Sequence, residues 1–222
     1  MTEHLNNEAD AAVVYVVDDE RAMRESLCLL LRSVGLTVMA FECAEDLLTL
    51  PAPDVPACVI MDVRLKGQSG LVAQQRLNSA HNPLPVIFMS AHGDIEMSVK
   101  AMKRGAVDFL AKPFREQDLL DAVAEALGAE RERRAADHAR RAIQDQYESL
   151  TERERDVMTL TVSGLRNREI AEKLHLSEAT IKIYRSQAMK KMHVRSVAEL
   201  VSKAHRLQQG SPLTGVGKTH VV

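Results

Sequence analysis

Short apolar runs alternate with longer amphipathic stretches through the first half of the chain. The runs are five or six residues long, rich in branched side chains and bounded by polar, Pro or Gly positions, a pattern typical of strands. The predicted strands are AVVYVV (12–17), TVMAF (37–41), ACVIM (57–61), PVIFMS (85–90) and AVDFLA (106–111). Between them, apolar residues recur three and four positions apart, which predicts helices. Strands and helices in alternation predict an α/β fold: a five-stranded, parallel, doubly wound sheet with helices on both faces.

The second half of the chain shows only the helical period. It predicts four short helices, TERERDVMTLTVSG (151–164), NREIAEKLHL (167–176), SEATIKIYRSQAMKKM (177–192) and SVAELVSKAHRLQQ (196–209). Thr151 and Glu154 have the spacing of a capping box at the first of them. A small all-α, four-helix domain is therefore expected after the α/β domain.

These patterns predict the domain organisation. We expect a disordered N-terminus, an α/β domain, a solvated helical linker that continues the fifth helix, a four-helix domain and a disordered tail. Their predicted ranges are 1–10, 11–128, 129–148, 149–208 and 209–222.

Composition and charge narrow the class of protein. The chain has 222 residues, which suits one large domain or two small ones, and 45% hydrophobic residues, enough for packed cores. It has no apolar run long enough to span a membrane. Three cysteines without metal-type spacing and an acidic, polar N-terminus favour reduced thiols in a cytoplasmic protein. Residues 1–128 carry 11 Lys and Arg against 19 Asp and Glu, whereas residues 129–222 carry 18 against 12. The basic second half is consistent with a polyanionic partner.

Reactive side chains stand at the ends of four predicted strands. Asp18 and Asp19 follow the first strand, Asp62 the third, Ser90 the fourth and Lys112 the fifth. The carboxyl ends of parallel strands form the crevice where such sheets bind ligands. Converging acids there favour Mg2+, beside which a carboxylate can accept a phosphoryl group, while the lysine and the hydroxyl can contact phosphoryl oxygens. The alternative is that these residues are unrelated caps and turn residues.

The motifs of the first half resemble the receiver domain of bacterial two-component response regulators over about residues 11–128. They are VVDDE (16–20), IMD (60–62) followed by GQSG (67–70), MSAHGD (89–94) and DFLAKPF (108–114). The resemblance implies that Asp62 is the phosphoacceptor and that a sensor histidine kinase is the donor. It also implies that Asp19 binds Mg2+ directly, Asp18 through water, and Arg64 through its carbonyl.

The same resemblance implies a switch. Ser90 and Phe109 would form the switch pair, and Lys112 would sense the phosphate, with a Lys112–Pro113 bond that is commonly cis in the family. The sequence departs from the family at Lys66, where Pro is usual, which predicts a looser loop and an extra positive charge near the site.

One helix of the second half has the pattern of a DNA-reading helix. Apolar spacing in residues 167–192 predicts two helices joined by a tight turn, with Ile181 on the buried face of the second. On its other face, Ile183 lies among basic and hydroxyl residues, which is unusual for a solvated surface but suits thymine methyl groups in a major groove. The alternative is an ordinary helical hairpin with scattered charge.

Residues 150–207 resemble the output domain of the LuxR/NarL class, through LTERERDVM, GLRNREIA and TIKIYRSQAMKKM. With the receiver motifs, the whole chain is similar to FixJ-type regulators. The resemblance implies double-stranded DNA as a partner, a homodimer when phosphorylated, and RNA polymerase as a further partner. The implied DNA-binding residues are Thr180, Lys182, Ile183, Arg185, Ser186 and Lys190. Ser186 replaces a residue that is often basic, and Lys190 is expected to contact phosphate.

Two other function classes share part of this pattern. A phosphatase with an aspartate nucleophile also uses a strand-end acid and Mg2+, but it needs a second acid two positions later, where this chain has Arg64. A module that binds only proteins is disfavoured by the basic reading helix. We therefore expect a phosphorylation-activated transcription regulator, not an enzyme, without a membrane partner.

Overall fold

The structure, a computed structural model, describes residues 11–79, 83–91 and 95–210. The chain forms two compact units that divide between Arg134 and Ala135. The predicted disordered N-terminus, 1–10, lies outside the described residues, as do residues 211–222 of the predicted tail. The first two residues of that predicted tail belong instead to the last helix.

The first unit contains a five-stranded sheet. Its strands are β1 (Val13–Val17), β2 (Thr37–Phe41), β3 (Ala57–Asp62), β4 (Val86–Ser90) and β5 (Asp108–Ala111). Its helices are α1 (Arg21–Ser33), α2 (Ala44–Leu48), α3 (Gly70–Ser79), α4 (Ile95–Lys103) and the first part of α5 (Glu116–Glu148). Every strand pair is parallel, in the order β2-β1-β3-β4-β5. This is the flavodoxin-like arrangement, and it confirms the predicted fold class.

Both faces of this sheet are buried. Along β1, Val14 and Val16 pack with side chains of α1 and α5, whereas Tyr15 and Val17 pack with side chains of α2 and α3. Successive strand residues point to opposite faces, so a strand covered on both faces is apolar at every position. That is why the sequence shows continuous apolar runs in place of apolar-polar alternation. All five strands end at one edge of the sheet, because all are parallel.

Helix α5 continues through the predicted linker, 129–148, but Glu130 and Ile143 within it are buried. The helix runs without interruption for 33 residues, but it is not solvated throughout. Glu130 is 2% exposed and accepts two bonds from Arg133, at 2.7 and 2.8 Å. Further along, Ile143 belongs to the core of the second unit. The high charge of this segment predicted exposure. Glu130 can nevertheless be buried, because Arg133 neutralises its charge where the helix packs.

The second unit contains the remaining helices, α6 (Glu152–Val162), α7 (Asn167–Leu174), α8 (Glu178–Lys191) and α9 (Val197–Gly210). The predicted capping box is present: Glu154 N donates to Thr151 Oγ1, and Thr151 N donates to the Glu154 carboxylate. Two apolar clusters hold the helices together. Among the described residues, the helices are all too short or too polar to cross a membrane.

Candidate functional site

Two carboxylates and one ammonium group meet at the carboxyl edge of the sheet. Asp18 directly follows β1 and Asp62 ends the neighbouring β3, so their side chains are adjacent. Lys112 directly follows β5, and the Lys112–Pro113 bond after it is cis, as expected. Its Nζ donates to Asp18 Oδ2 at 2.8 Å and to Asp62 Oδ2 at 2.5 Å. The three side chains, predicted from separate strand ends, therefore form one ion-paired cluster.

This cluster is buried. Asp18 is 0% and Asp62 8% exposed, so neither charge is stable there without a partner. Burial alone would lower the pKa of Lys112, but its hydrogen bonds to Asp18 and Asp62 outweigh burial and raise that pKa above its ordinary value. Lys112 is therefore a fixed positive charge between two carboxylates at neutral pH.

The third acid predicted at these strand ends, Asp19, lies at the rim of the cluster, where its side chain is 23% exposed. The Nζ of Lys66 is 3.5 Å from Asp19 Oδ2, so Lys66 places a second positive charge at the site, as the sequence predicted. Backbone amides hold the two buried acids: Arg64 N donates to Asp62 Oδ1 at 2.7 Å, and Glu20 N donates to Asp18 Oδ1 at 2.8 Å.

Three carboxylates and a nearby carbonyl are the hard oxygen donors that Mg2+ prefers. Within the described part of the chain, no group of three or more Asp, Glu, His or Cys side chains is arranged so that it could hold a metal ion. Mg2+ does not need three protein side chains, because it keeps several waters and uses only one or two carboxylates. The donor set therefore fits Mg2+, with the ammonium groups of Lys66 and Lys112 now lying against its oxygens.

The loop after β3 is held against the site. Gly70 N donates to Val63 O at 2.9 Å, and an isolated bridge joins Arg64 to Ser69. A β-carbon on Gly70 would lie 2.4 Å from the carbonyl oxygen of Asp62, so only glycine permits this approach. The GQSG motif thus fixes the start of α3 beside the carboxylate cluster.

Arg24 is a supporting residue that the sequence reasoning missed. Its Nη1 donates to the carbonyl oxygen of Asp18 at 2.6 Å, and its side chain is 17% exposed. A base so near a helix N-terminus is unfavourable for the helix dipole, and that is the signal that could have found it.

The predicted switch residues lie on β4, the neighbour of β3, and on β5, the edge strand next to β4. Ser90 ends β4 and is buried, and Lys112 N donates to its carbonyl oxygen at 2.7 Å. Phe109 lies opposite Phe88 in the β4–β5 register. It is partly buried against the apolar cluster that contains Phe88 and side chains of α2 and α3. Ser90 is thus joined to Lys112 by a backbone hydrogen bond, and Phe109 lies shortly before Lys112 in the sequence.

Helices α7 and α8 form a helical pair joined by a tight turn. His175 ends α7 in the left-handed conformation, at φ 55°, and Ser177 caps α8 by accepting from Thr180 N at 3.1 Å. On α8, Ile181 is buried, as predicted from its spacing, and so is Ala188 on the same face. The opposite face of α8 is left free of the core.

That opposite face carries most of the residues predicted to contact DNA. Lys182, Ser186 and Lys190 are exposed, and Ile183 is 57% exposed. Thr180 is half-buried, with its Oγ1 2.8 Å from Ser177 Oγ. These residues share one surface because their spacing follows the helical period.

Arg185 differs from the others. It is half-buried, and its Nη1 donates to Asn167 Oδ1 at 2.9 Å, which ties α8 to the start of α7. A shallow groove of about 460 Å³ lies beside this bond and is lined in part by Lys182, Ser186 and Lys190.

Two family models match the chain. The model for the response regulator receiver domain matches residues 14–124, and the model for bacterial regulatory proteins of the luxR family matches residues 148–204. The first covers the sheet and its carboxylate cluster, and the second covers the helical pair.

Known proteins resemble the chain over most of its length. Nodulation protein W of Bradyrhizobium diazoefficiens is 48% identical over 196 residues, 88% of this chain and 86% of that protein. The transcriptional regulatory protein FixJ of the same species is 42% identical over 195 residues, 87% of this chain and 94% of that protein. The solved structure of the response regulator StyR is 42% identical, with a TM-score of 0.81, and the match covers 88% of this chain and 99% of that one.

Proposed function

The chain belongs to the two-component response regulators that join a receiver domain to a LuxR-family output domain, and on that premise we propose that Asp62 accepts the phosphoryl group. The protein is a phosphorylation-dependent, DNA-binding transcription regulator, and such proteins are not normally enzymes. A sensor histidine kinase supplies the phosphoryl group, DNA is the target, and the cytoplasm is the compartment in which both would be met. The single observation that carries the assignment is the Lys112 ammonium group bound to Asp18 and Asp62.

Accessibility favours Asp62 over Asp18. The Asp18 side chain is only 1% exposed, so a phosphodonor cannot reach it. The Asp62 side chain is 12% exposed. Its Oδ2 would attack phosphorus while the bond from phosphorus to the donor's imidazole nitrogen breaks, and that nitrogen leaves as neutral imidazole once protonated. Lys112 is placed to bind an oxygen of the new acyl phosphate.

The receiver would use Mg2+ for this reaction, because receiver domains generally bind that ion where they are phosphorylated. Asp18, Asp19 and Asp62 would hold it together with the Arg64 carbonyl. When bound, Mg2+ would neutralise charge on the transferring phosphoryl group. Lys66 and Lys112 would then have to move from the oxygens that they contact in this structure.

Communication from Asp62 would pass through Ser90 and Phe109. A phosphoryl group offers acceptor oxygens that attract the Ser90 hydroxyl, and Phe109 would move into the space vacated beside β4. The neighbouring helix α4 exposes Val99 (44%) and Met102 (46%), an apolar surface that a second copy could cover in a two-fold dimer.

The output domain would read DNA with the exposed face of α8. Lys182 and Ile183 would contact base edges, with Ile183 against thymine methyl groups, and Lys190 would contact phosphate. Ser186 would donate from its hydroxyl, and so would Thr180 where its hydroxyl does not donate to Ser177. Arg185 would contact DNA only by giving up or sharing its bond to Asn167. A receiver dimer would bring two such helices to half-sites about one DNA turn apart, where RNA polymerase could be recruited.

The phosphoacceptor is tested with Asp62→Asn in the full-length protein. We expect phosphoramidate with Mg2+ to phosphorylate wild type but not the variant, as measured on phosphate-affinity gels. Asp54→Asn is the matched control, because Asp54 is exposed in the loop before β3, at the other edge of the sheet. A variant at Asp62 that is labelled as fast as the control would remove the assignment.

A further inference from the structure

Among the described residues, two lysines contact the carboxylate cluster, and Lys66 is the one that is mostly exposed to solvent. Its Nζ is 3.5 Å from Asp19 Oδ2, and its side chain is 76% exposed, whereas the Lys112 side chain is 13% exposed. Asp19 itself is only 23% exposed. The Lys66 side chain therefore lies over the acid on the side from which a small cation would enter.

The backbone of the loop holds Lys66 in this place. Gly67, the next residue, adopts a φ of 92°, a left-handed conformation that glycine takes without strain. The Arg64–Ser69 bridge and the bond from Gly70 N to Val63 O close the loop around it. Lys66 consequently projects from a turn whose backbone is closed by hydrogen bonds, whereas the replacement of the usual Pro predicts a looser loop.

We propose that Lys66 is a built-in competitor of Mg2+ at Asp19, and so sets the Mg2+ concentration that the receiver requires. The inference rests on the proposed function, because it takes Asp19 as a ligand of the metal. Lys66 occupies one carboxylate oxygen with a single charge. A divalent ion can bind only by displacing that ammonium group or by tolerating its repulsion.

The size of the effect follows from the charges. Repulsion of a divalent ion is twice that of a monovalent one, but water surrounds most of the Lys66 side chain and screens it. We expect removal of this charge to lower the Mg2+ dissociation constant about three- to tenfold, the range for one exposed, screened charge. At 1 M monovalent salt, where the screening length is about 3 Å, the difference should nearly vanish.

The experiment measures Mg2+ affinity without measuring phosphorylation. Full-length protein is titrated with MgCl2, and the dissociation constant is taken from calorimetry and from the rise of the receiver's unfolding temperature with Mg2+. Lys66→Met removes the charge, and Lys66→Arg retains it. Lys103→Met is the matched control, because Lys103 is exposed and ends α4 at the sheet edge opposite the site. Unfolding without Mg2+ checks the fold of each variant, and Lys66→Gln serves if Lys66→Met is unstable.

Tighter Mg2+ binding in Lys66→Met, with Lys66→Arg and Lys103→Met within about twofold of wild type, supports the proposal. Equal dissociation constants in Lys66→Met and Lys103→Met overturn it, as does an absence of Mg2+ binding in both wild type and Lys66→Met. Failure of the proposed function is a separate result, namely undiminished phosphorylation of Asp62→Asn. A wild type that is phosphorylated on Asp62, with an unchanged Mg2+ affinity in Lys66→Met, refutes only the role of Lys66.

Discussion

Gly70 offers the sharpest test of how the fold supports the carboxylate cluster. A β-carbon added there would lie 2.4 Å from the backbone oxygen of Asp62, 3.1 Å from a ring carbon of Phe88 and 3.2 Å from the sulfur of Met61. The Phe88 and Met61 side chains can shift by tenths of an ångström, but the Asp62 oxygen belongs to the central strand β3. Gly70→Ala must therefore displace the start of α3.

The size of this displacement sets the expected loss of stability. Carbon and carbonyl oxygen require about 3.3 Å, so α3 must move by roughly 1 Å. Overpacking of this kind destabilises by about 1–3 kcal/mol, partly offset by the better helix propensity of alanine. For a unit of this size, that lowers the unfolding temperature by roughly 3–12 °C. The rate of phosphorylation should fall as well, because the displaced segment also borders Asp62.

Two glycines provide the controls in scanning calorimetry of the full-length protein. Gly128→Ala lies in α5 with nothing within 4 Å of its added carbon, and should stabilise by about 0.5–1 kcal/mol. Gly67→Ala also meets no neighbour, but its φ of 92° adds strain of about 1 kcal/mol without moving α3. The second unit's transition should stay unchanged in all three variants. A Gly70→Ala protein as stable as Gly128→Ala would show that no close approach exists and would refute the reasoning.

Three further predictions address the ion pairs and the reading helix. Lys112→Met should destabilise the receiver by about 3–5 kcal/mol at pH 7 without Mg2+, because it leaves two buried carboxylates unpaired. Since the pKa of Lys112 is raised in the folded protein, its contribution in wild type should be complete below about pH 10.4, the unfolded value, and should be lost as the pH rises through the higher pKa of the folded state. Urea unfolding that is equal in variant and wild type at pH 7 would contradict this prediction. Burial raises the pKa of Glu154, but its bonds to Lys191 and to the cap outweigh burial and lower it. The output unit should therefore lose stability as the pH falls below about 4.3. Glu154→Gln should cost about 1–2 kcal/mol of stability at pH 7 and flatten this pH dependence, and an unchanged loss of stability in acid would exclude the Glu154–Lys191 pair as its source. Ile183→Ala should weaken specific DNA binding by about 1–3 kcal/mol, whereas Lys190→Ala should weaken binding to all sequences and reduce the salt slope by about one; a gel-shift series in which both variants lose only specific binding would disprove these separate roles.

The sequence by itself determined the architecture and much of the chemistry. Continuous apolar runs such as Val14–Val17 predicted strands buried on both faces, and the parallel order then required all strand ends to share one edge. Asp18, Asp62 and Lys112 are therefore expected together from their positions at strand ends alone. Local patterns were equally informative: the Thr151–Glu154 capping box depends only on residues three positions apart.

Tertiary structure alone decided which charges are paired and which helices pack. No sequence period indicates that Lys112 bonds two acids at once, that Arg24 supports the Asp18 carbonyl, or that Arg185 bonds Asn167, 18 positions earlier. Glu130 looked solvated because a charged residue is usually exposed, yet its bonds to Arg133 allow it to be buried. Hydrophobic periodicity specifies the faces of individual elements, whereas a buried ion pair depends on the distance between elements, which only packing fixes.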